Sequence, residues 1–122
     1  MSKGAREAER LRRLAAMARM VFDARALQLR RVALARDAVR AQIAGLDRPA
    51  PPEVADDPAL ARAACAYAVW AASRREALNR TLARREAEWL DGLDDACRAF
   101  GRQCVLEDAA ERATKGRRPG GG

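Results

Sequence analysis

Apolar residues recur every eleven positions in the second half of this chain. Leu60, Ala71, Leu82, Leu93 and Cys104 form one row, and Tyr67, Leu78, Trp89 and Phe100 form the next. Eleven residues fill three helical turns at about 3.67 residues per turn, so the spacing predicts one apolar stripe along one side of a very long helix. The first half repeats the rhythm with Val21, Val32 and Ile43, accompanied by Met17 and Val39. Two striped helices can cover each other. The expected fold is all-α: an antiparallel two-helix hairpin, a long coiled-coil-like rod with a proline-rich tip.

The punctuation of the sequence sets the expected boundaries. Helix 1 should run over about 3–44, with Ser2 as its cap and Gly45 as its stop. Four of the five prolines fall in the loop 45–57 and its border, at Pro49, Pro51, Pro52 and Pro58, so the first helix cannot continue through it. Helix 2 should open with Asp57 as cap and Pro58 in its first turn and run over about 58–115, where Gly116 stops it. Gly92 and Gly101 are internal weak points, and Gly101 is where a bend or fraying would fall. Residues 1–116 form the single hairpin domain, and 117–122 a disordered tail. Setting Ile43 beside Leu60 across a short tip places Val32 by Ala71, Val21 by Leu82 and Leu14 by Trp89. The end of helix 2, with Cys104, Val105 and Leu106, would then overhang without a partner.

Charge is divided unevenly. The chain carries a net charge of +7. Residues 1–46 hold eleven Lys and Arg against four acids, which accounts for the whole excess, because the thirteen bases and thirteen acids that follow cancel. An acidic partner should therefore meet helix 1 first. The sequence has no histidine and three cysteines, Cys65, Cys97 and Cys104, none at the spacing of a metal knuckle. They are expected to be small buried hydrophobes in a reducing compartment. No signal peptide or membrane span is expected, which makes the cytoplasm the expected location. No nucleophile, glycine-rich phosphate loop or catalytic pair is recognisable; Glu86, Glu88, Asp91, Asp94 and Asp95 fit a solvated face opposing the arginines of helix 1. The expectation is a protein that is not an enzyme and takes no cofactor or metal.

Candidate binding residues lie off the stripe. Met20, Leu27 and Leu34 repeat every seven residues on a flank, and Val69 and Trp70 occupy a comparable position on helix 2, level with Leu34 in the expected register. Val105 and Leu106 are exposed by the overhang, and Arg6, Arg10 and Arg13 give the terminal end of helix 1 its positive charge. These ten residues are the expected partner-binding set. Aspartates interrupt the basic face, so specific nucleic-acid binding is the least favoured use of the charge.

A small basic hairpin that begins Ala-Glu-Arg-Leu-Arg-Arg-Leu14 and abounds in Leu-Arg and Ala-Arg pairs resembles the FliJ/YscO group, the central stalks of flagellar and type III export ATPases. The resemblance implies a noncatalytic stalk or adaptor that engages an export ATPase ring, export gate components or export chaperones. The alternative expectation is an unrelated self-associating coiled-coil scaffold or chaperone. The sequence is shorter than that group, has a proline-rich tip and is poorer in Glu and Gln, so no residue roles are carried over.

Overall fold

The computed structural model describes residues 2–116; the tail expected to be disordered lies outside them. Helix α1 spans Lys3–Ala44, a short 3-10 turn spans Pro52–Ala55, and helix α2 spans Pro58–Lys115. The two helices pack antiparallel, so the fold is an all-α hairpin. The expected caps are present: Ser2 Oγ accepts from the backbone N–H of Ala5 at 3.2 Å, and Asp57 Oδ1 from that of Ala59 at 2.9 Å. Each bond satisfies a first-turn donor that the helix itself leaves unpaired. At the other ends, Gly45 N donates to Ala41 O and Gly116 N to Arg112 O, both at 2.9 Å. Helix α2 runs through Gly92 and Gly101 without interruption.

Contacts group the chain into two units, one joining the residues up to Arg31 with those from Leu90 onward, the other spanning Val32–Trp89. In the second unit the core is aliphatic: Val39, Leu46, Ala71 and Leu78 are buried, with Ile43, Tyr67 and Leu82 packed against them. The proline-rich segment contributes to this core. Leu46 turns inward, the Tyr67 hydroxyl donates to Leu46 O at 3.1 Å, and Arg75 pairs with Asp47 at 2.7 Å. Farther along, Arg40 pairs with Glu86 at 2.9 Å and the Arg36 guanidinium lies 4.9 Å from the Trp89 ring centroid.

The first unit is built differently. Its buried residues among those described are all alanine: Ala5, Ala8, Ala15, Ala96, Ala99 and Ala110. Small side chains let helix backbones approach closely, and Gly92 makes the same use of its missing Cβ, since one placed there would lie 3.3 Å from Leu29 Cδ1. The glycine expected to be a weak point is thus a close-packing position. The rings of Phe22 and Phe100 meet at 5.2 Å between centroids, at an interplanar angle of 53°.

The expected stripe holds in the core of the second unit, where Val39, Ile43, Tyr67, Ala71, Leu78 and Leu82 pack together, and fails in the first, because the seam has a shorter period than eleven. In the first unit, shielded positions recur every seven residues at Ala8, Ala15, Phe22 and Leu29, and on α2 they alternate in steps of four and three through Gly92, Ala96, Ala99, Gln103, Leu106 and Ala110. In the second unit, Ala71, Arg75, Leu78, Leu82, Arg85 and Trp89 follow the same rule. This is the period of 3.5 residues that keeps a seam facing its partner. Against it, each step of eleven drifts by about 50°. Met17, Val21, Leu60 and Phe100, expected in the seam, are accordingly exposed.

The expected register is also wrong. Trp89 lies by Arg36, not Leu14, a displacement of about 33 Å at 1.5 Å per residue. The cause is the proline-rich segment, which packs back along the first turns of α2 and takes up the length assigned to helix–helix pairing. Consequently the end of α2 does not overhang: Ala110 is buried and Arg12 reaches Thr114 at 3.4 Å.

Candidate interaction surface

An alanine seam places large apolar side chains elsewhere. In the first unit Leu14, Met17, Met20, Val21 and Leu27 on α1, and Leu90, Phe100 and Val105 on α2, are all exposed. The buried positions there are all small, large residues of the seam such as Phe22, Leu29 and Leu106 are only half-buried, and most other large apolar side chains lie outside. Burying an apolar side chain of this size is worth roughly 1.5–3 kcal/mol, so the alanine seam leaves much of the available apolar stabilisation unused.

The exposed side chains of α1 are ordered. With the seam at Ala8, Ala15, Phe22 and Leu29, the residues two and five positions beyond each seam position point away from α2. They form the series Arg6, Arg10, Arg13, Met17, Met20, Ala24, Leu27 and Arg31, again in steps of four and three. A second heptad stripe therefore runs along the outer face of α1, apolar in the middle and basic at both ends. Met20 is 70% exposed and Leu27 51%.

The basic end has its own relief. Arg6, Glu9, Arg10 and Arg13 line a shallow hollow of about 220 Å³. Glu9 is occupied within the helix, with its carboxylate 2.9 Å from Arg12 and 3.5 Å from Arg13. The Arg12 hydrogen bond, aided by the charges of Arg12 and Arg13, holds the Glu9 carboxyl below its ordinary value. At the far end of α2, the Lys115 ammonium, by hydrogen bond and charge at 2.9 Å, lowers the Glu111 carboxyl in the same way.

Of the ten residues singled out in the sequence, Met20, Leu27, Arg6, Arg10 and Arg13 come together on this one face, which sequence reasoning had treated as two surfaces. Met17 and Arg31 also belong to it, although the sequence pattern places Met17 in the seam and Arg31 on no surface. Leu34 is exposed, but it lies near the level of Arg36 and Trp89, about 30 Å by helical rise from Trp70, so those two do not share a patch as expected. Val69 is exposed, and Trp70, also exposed, sets its ring 5.8 Å from that of Tyr67 at a 40° tilt. Val105 is exposed on α2, whereas Leu106 is a half-buried seam residue and not part of an exposed end.

Two further expectations change. Cys65 and Cys97 are exposed rather than buried, and Cys104 is half-buried. Glu86 does oppose an arginine of α1, Arg40, while Glu88 pairs within its own helix with Arg85 at 3.2 Å. In the second unit a groove of about 510 Å³ runs between the proline-rich segment and α2, lined by Leu46, Pro51, Val54, Leu60, Tyr67 and Ala71 among others. Among the described residues, no helix is long and apolar enough to cross a membrane. The chain matches no protein-family model, no curated protein and no solved structure.

Proposed function

We propose that this chain is a noncatalytic helical adaptor, and specifically a stalk or adaptor of a bacterial flagellar or type III export ATPase that works in the cytoplasm. The observation that carries the adaptor reading is the packing of the first unit, in which alanines fill the buried positions while methionine, leucine and arginine form an ordered outer stripe. Large exposed apolar side chains framed by arginine have the makeup of a protein interface, where a few such anchors carry most of the binding energy. The narrower assignment to export rests on the resemblance of the hairpin and its basic first helix to the FliJ/YscO group. The work would be done by docking and by transmitting the position of one partner to another.

Capture from an extract of the producing cell, with the wild-type chain and with Leu27→Asp as baits, tests this. Recovery of an export ATPase that depends on Leu27 is the expected result. Recovery of the chain alone would replace this reading with the self-associating scaffold, and recovery abolished by nuclease would replace it with nucleic-acid binding.

A further inference from the structure

The outer stripe of α1 has a definite charge pattern as well as an apolar one. Residues 3–31 hold nine Lys and Arg against three acids, Glu7, Glu9 and Asp23. Glu9 is already committed to Arg12 and Arg13, and Asp23 alone adjoins the apolar middle of the stripe. Arg10 and Arg31, one at each end, make no ion pair among the described residues. A second copy meeting this face with the same face of its own α1 would bring two strongly positive surfaces together, which costs free energy. A nucleic-acid surface would match the charge but not the apolar row, and a membrane-surface helix buries a broad apolar face with aromatic and leucine anchors, whereas this row is Met17, Met20, Ala24 and Leu27 with Asp23 beside it.

We propose that the outer face of α1 between Arg10 and Arg31 docks an acidic amphipathic helix of a protein partner. This rests on the adaptor reading above and adds the chemistry of the partner. The partner helix lays its own apolar heptad row on Met17, Met20 and Leu27, as a third helix completing the bundle. Its carboxylates meet Arg10 and Arg13 at one end and Arg31 at the other. Arginine pairs with carboxylate through two parallel hydrogen bonds, so the ends fix register while the apolar middle supplies most of the affinity. The two unbranched methionines adapt to partner side chains of different shape. From Arg10 to Arg31 the stripe extends about 32 Å, which sets a partner segment of some twenty helical residues.

The test uses the full chain and a dye-labelled synthetic peptide of about 24 residues, long enough to span the stripe. Leucine occupies its heptad a and d positions and glutamate its flanks. Fluorescence anisotropy should show saturable binding that weakens at least tenfold with Met20→Asp and Leu27→Asp together, and at least tenfold with Arg10→Glu and Arg13→Glu together. A peptide with lysine in place of glutamate should not bind. Circular dichroism of the variants should match wild type, and Met20→Gln with Leu27→Gln repeats the test without added charge. Equal binding by a glutamate peptide whose leucines are glutamine would overturn the proposal, because attraction would then be charge alone. So would an absence of binding, or a dimer in sedimentation that Met20→Asp and Leu27→Asp dissociate. The peptide assay does not depend on an export ATPase, so the partner chemistry and the export assignment fail separately.

Discussion

Replacing Ala99 with leucine asks whether the alanine seam is tight, and the two possible answers have opposite signs. Ala99 is 3% exposed and lies one step from Ala96, in a unit whose other buried residues are also alanines. If the helices had room to accommodate it, a buried leucine would add roughly 1.5–3 kcal/mol of apolar stabilisation. If they are already in contact, the extra side chain must push them apart or adopt a strained rotamer, at a cost of typically 1–3 kcal/mol. The close approach of Leu29 to Gly92 indicates contact, so Ala99→Leu should destabilise the first unit. Urea unfolding followed by circular dichroism reads the sign as a shift of midpoint. Amide exchange localises the loss to 2–31 and 90–116, which matters because two units need not unfold as one transition. A rise in midpoint would refute the reasoning, since the seam would then have space for a large residue.

Leu78→Ala should cost the second unit about 2–4 kcal/mol in the same urea experiment, because Leu78 is buried among Val39, Leu46 and Ala71. Tyr67→Phe should cost about 1 kcal/mol through the hydrogen bond to Leu46 O, with proteolysis of the proline-rich segment increasing. Glu9 and Glu111 have folded values below the ordinary 4.5, so the helix-end stability they confer is present above that pH and is lost as pH falls through the depressed values. An acid titration by circular dichroism should show it as fraying at the start of α1 and the end of α2 before global unfolding, and fraying that starts instead near neutrality would contradict the assignment. Met20→Ser should leave the unfolding free energy within about 0.5 kcal/mol of wild type, as for an exposed site.

Helix ends were legible in the sequence because their chemistry is local. Ser2, Gly45, Asp57, Pro58 and Gly116 each act on backbone groups within one turn, and the structure places both helices at the expected bounds. The seam was legible in the second unit, where Val39, Ile43, Tyr67, Ala71, Leu78 and Leu82 pack as expected, but not in the first, for a reason specific to this chain. Periodicity arguments weigh residues by size and hydrophobicity, and here Met17, Val21, Leu60 and Phe100 outweigh alanine while lying outside the seam. The residues that do the packing, Ala8, Ala15, Ala96 and Ala99, give almost no signal against an alanine-rich background. The register failed with it, since the proline-rich segment was treated as a tip although Leu46 and Asp47 engage α2. The outer stripe was partly visible: Met20 and Leu27 stood out by their spacing of seven, but linking them to Arg10 and Arg13 required the seam to be located first.

In the proposed adaptor, the outer face of α1 is covered by another protein in the cell. Photo-crosslinking in the producing cell tests this directly, with a photoreactive amino acid in place of Met20 in the full chain and of exposed Asp94 as the control. The predicted result is one discrete adduct from position 20, absent from position 94 and lost with Arg10→Glu and Arg13→Glu, whose crosslinked segment carries carboxylates around an apolar heptad row. An adduct of the chain with itself, or the same products from both positions, would contradict the claim.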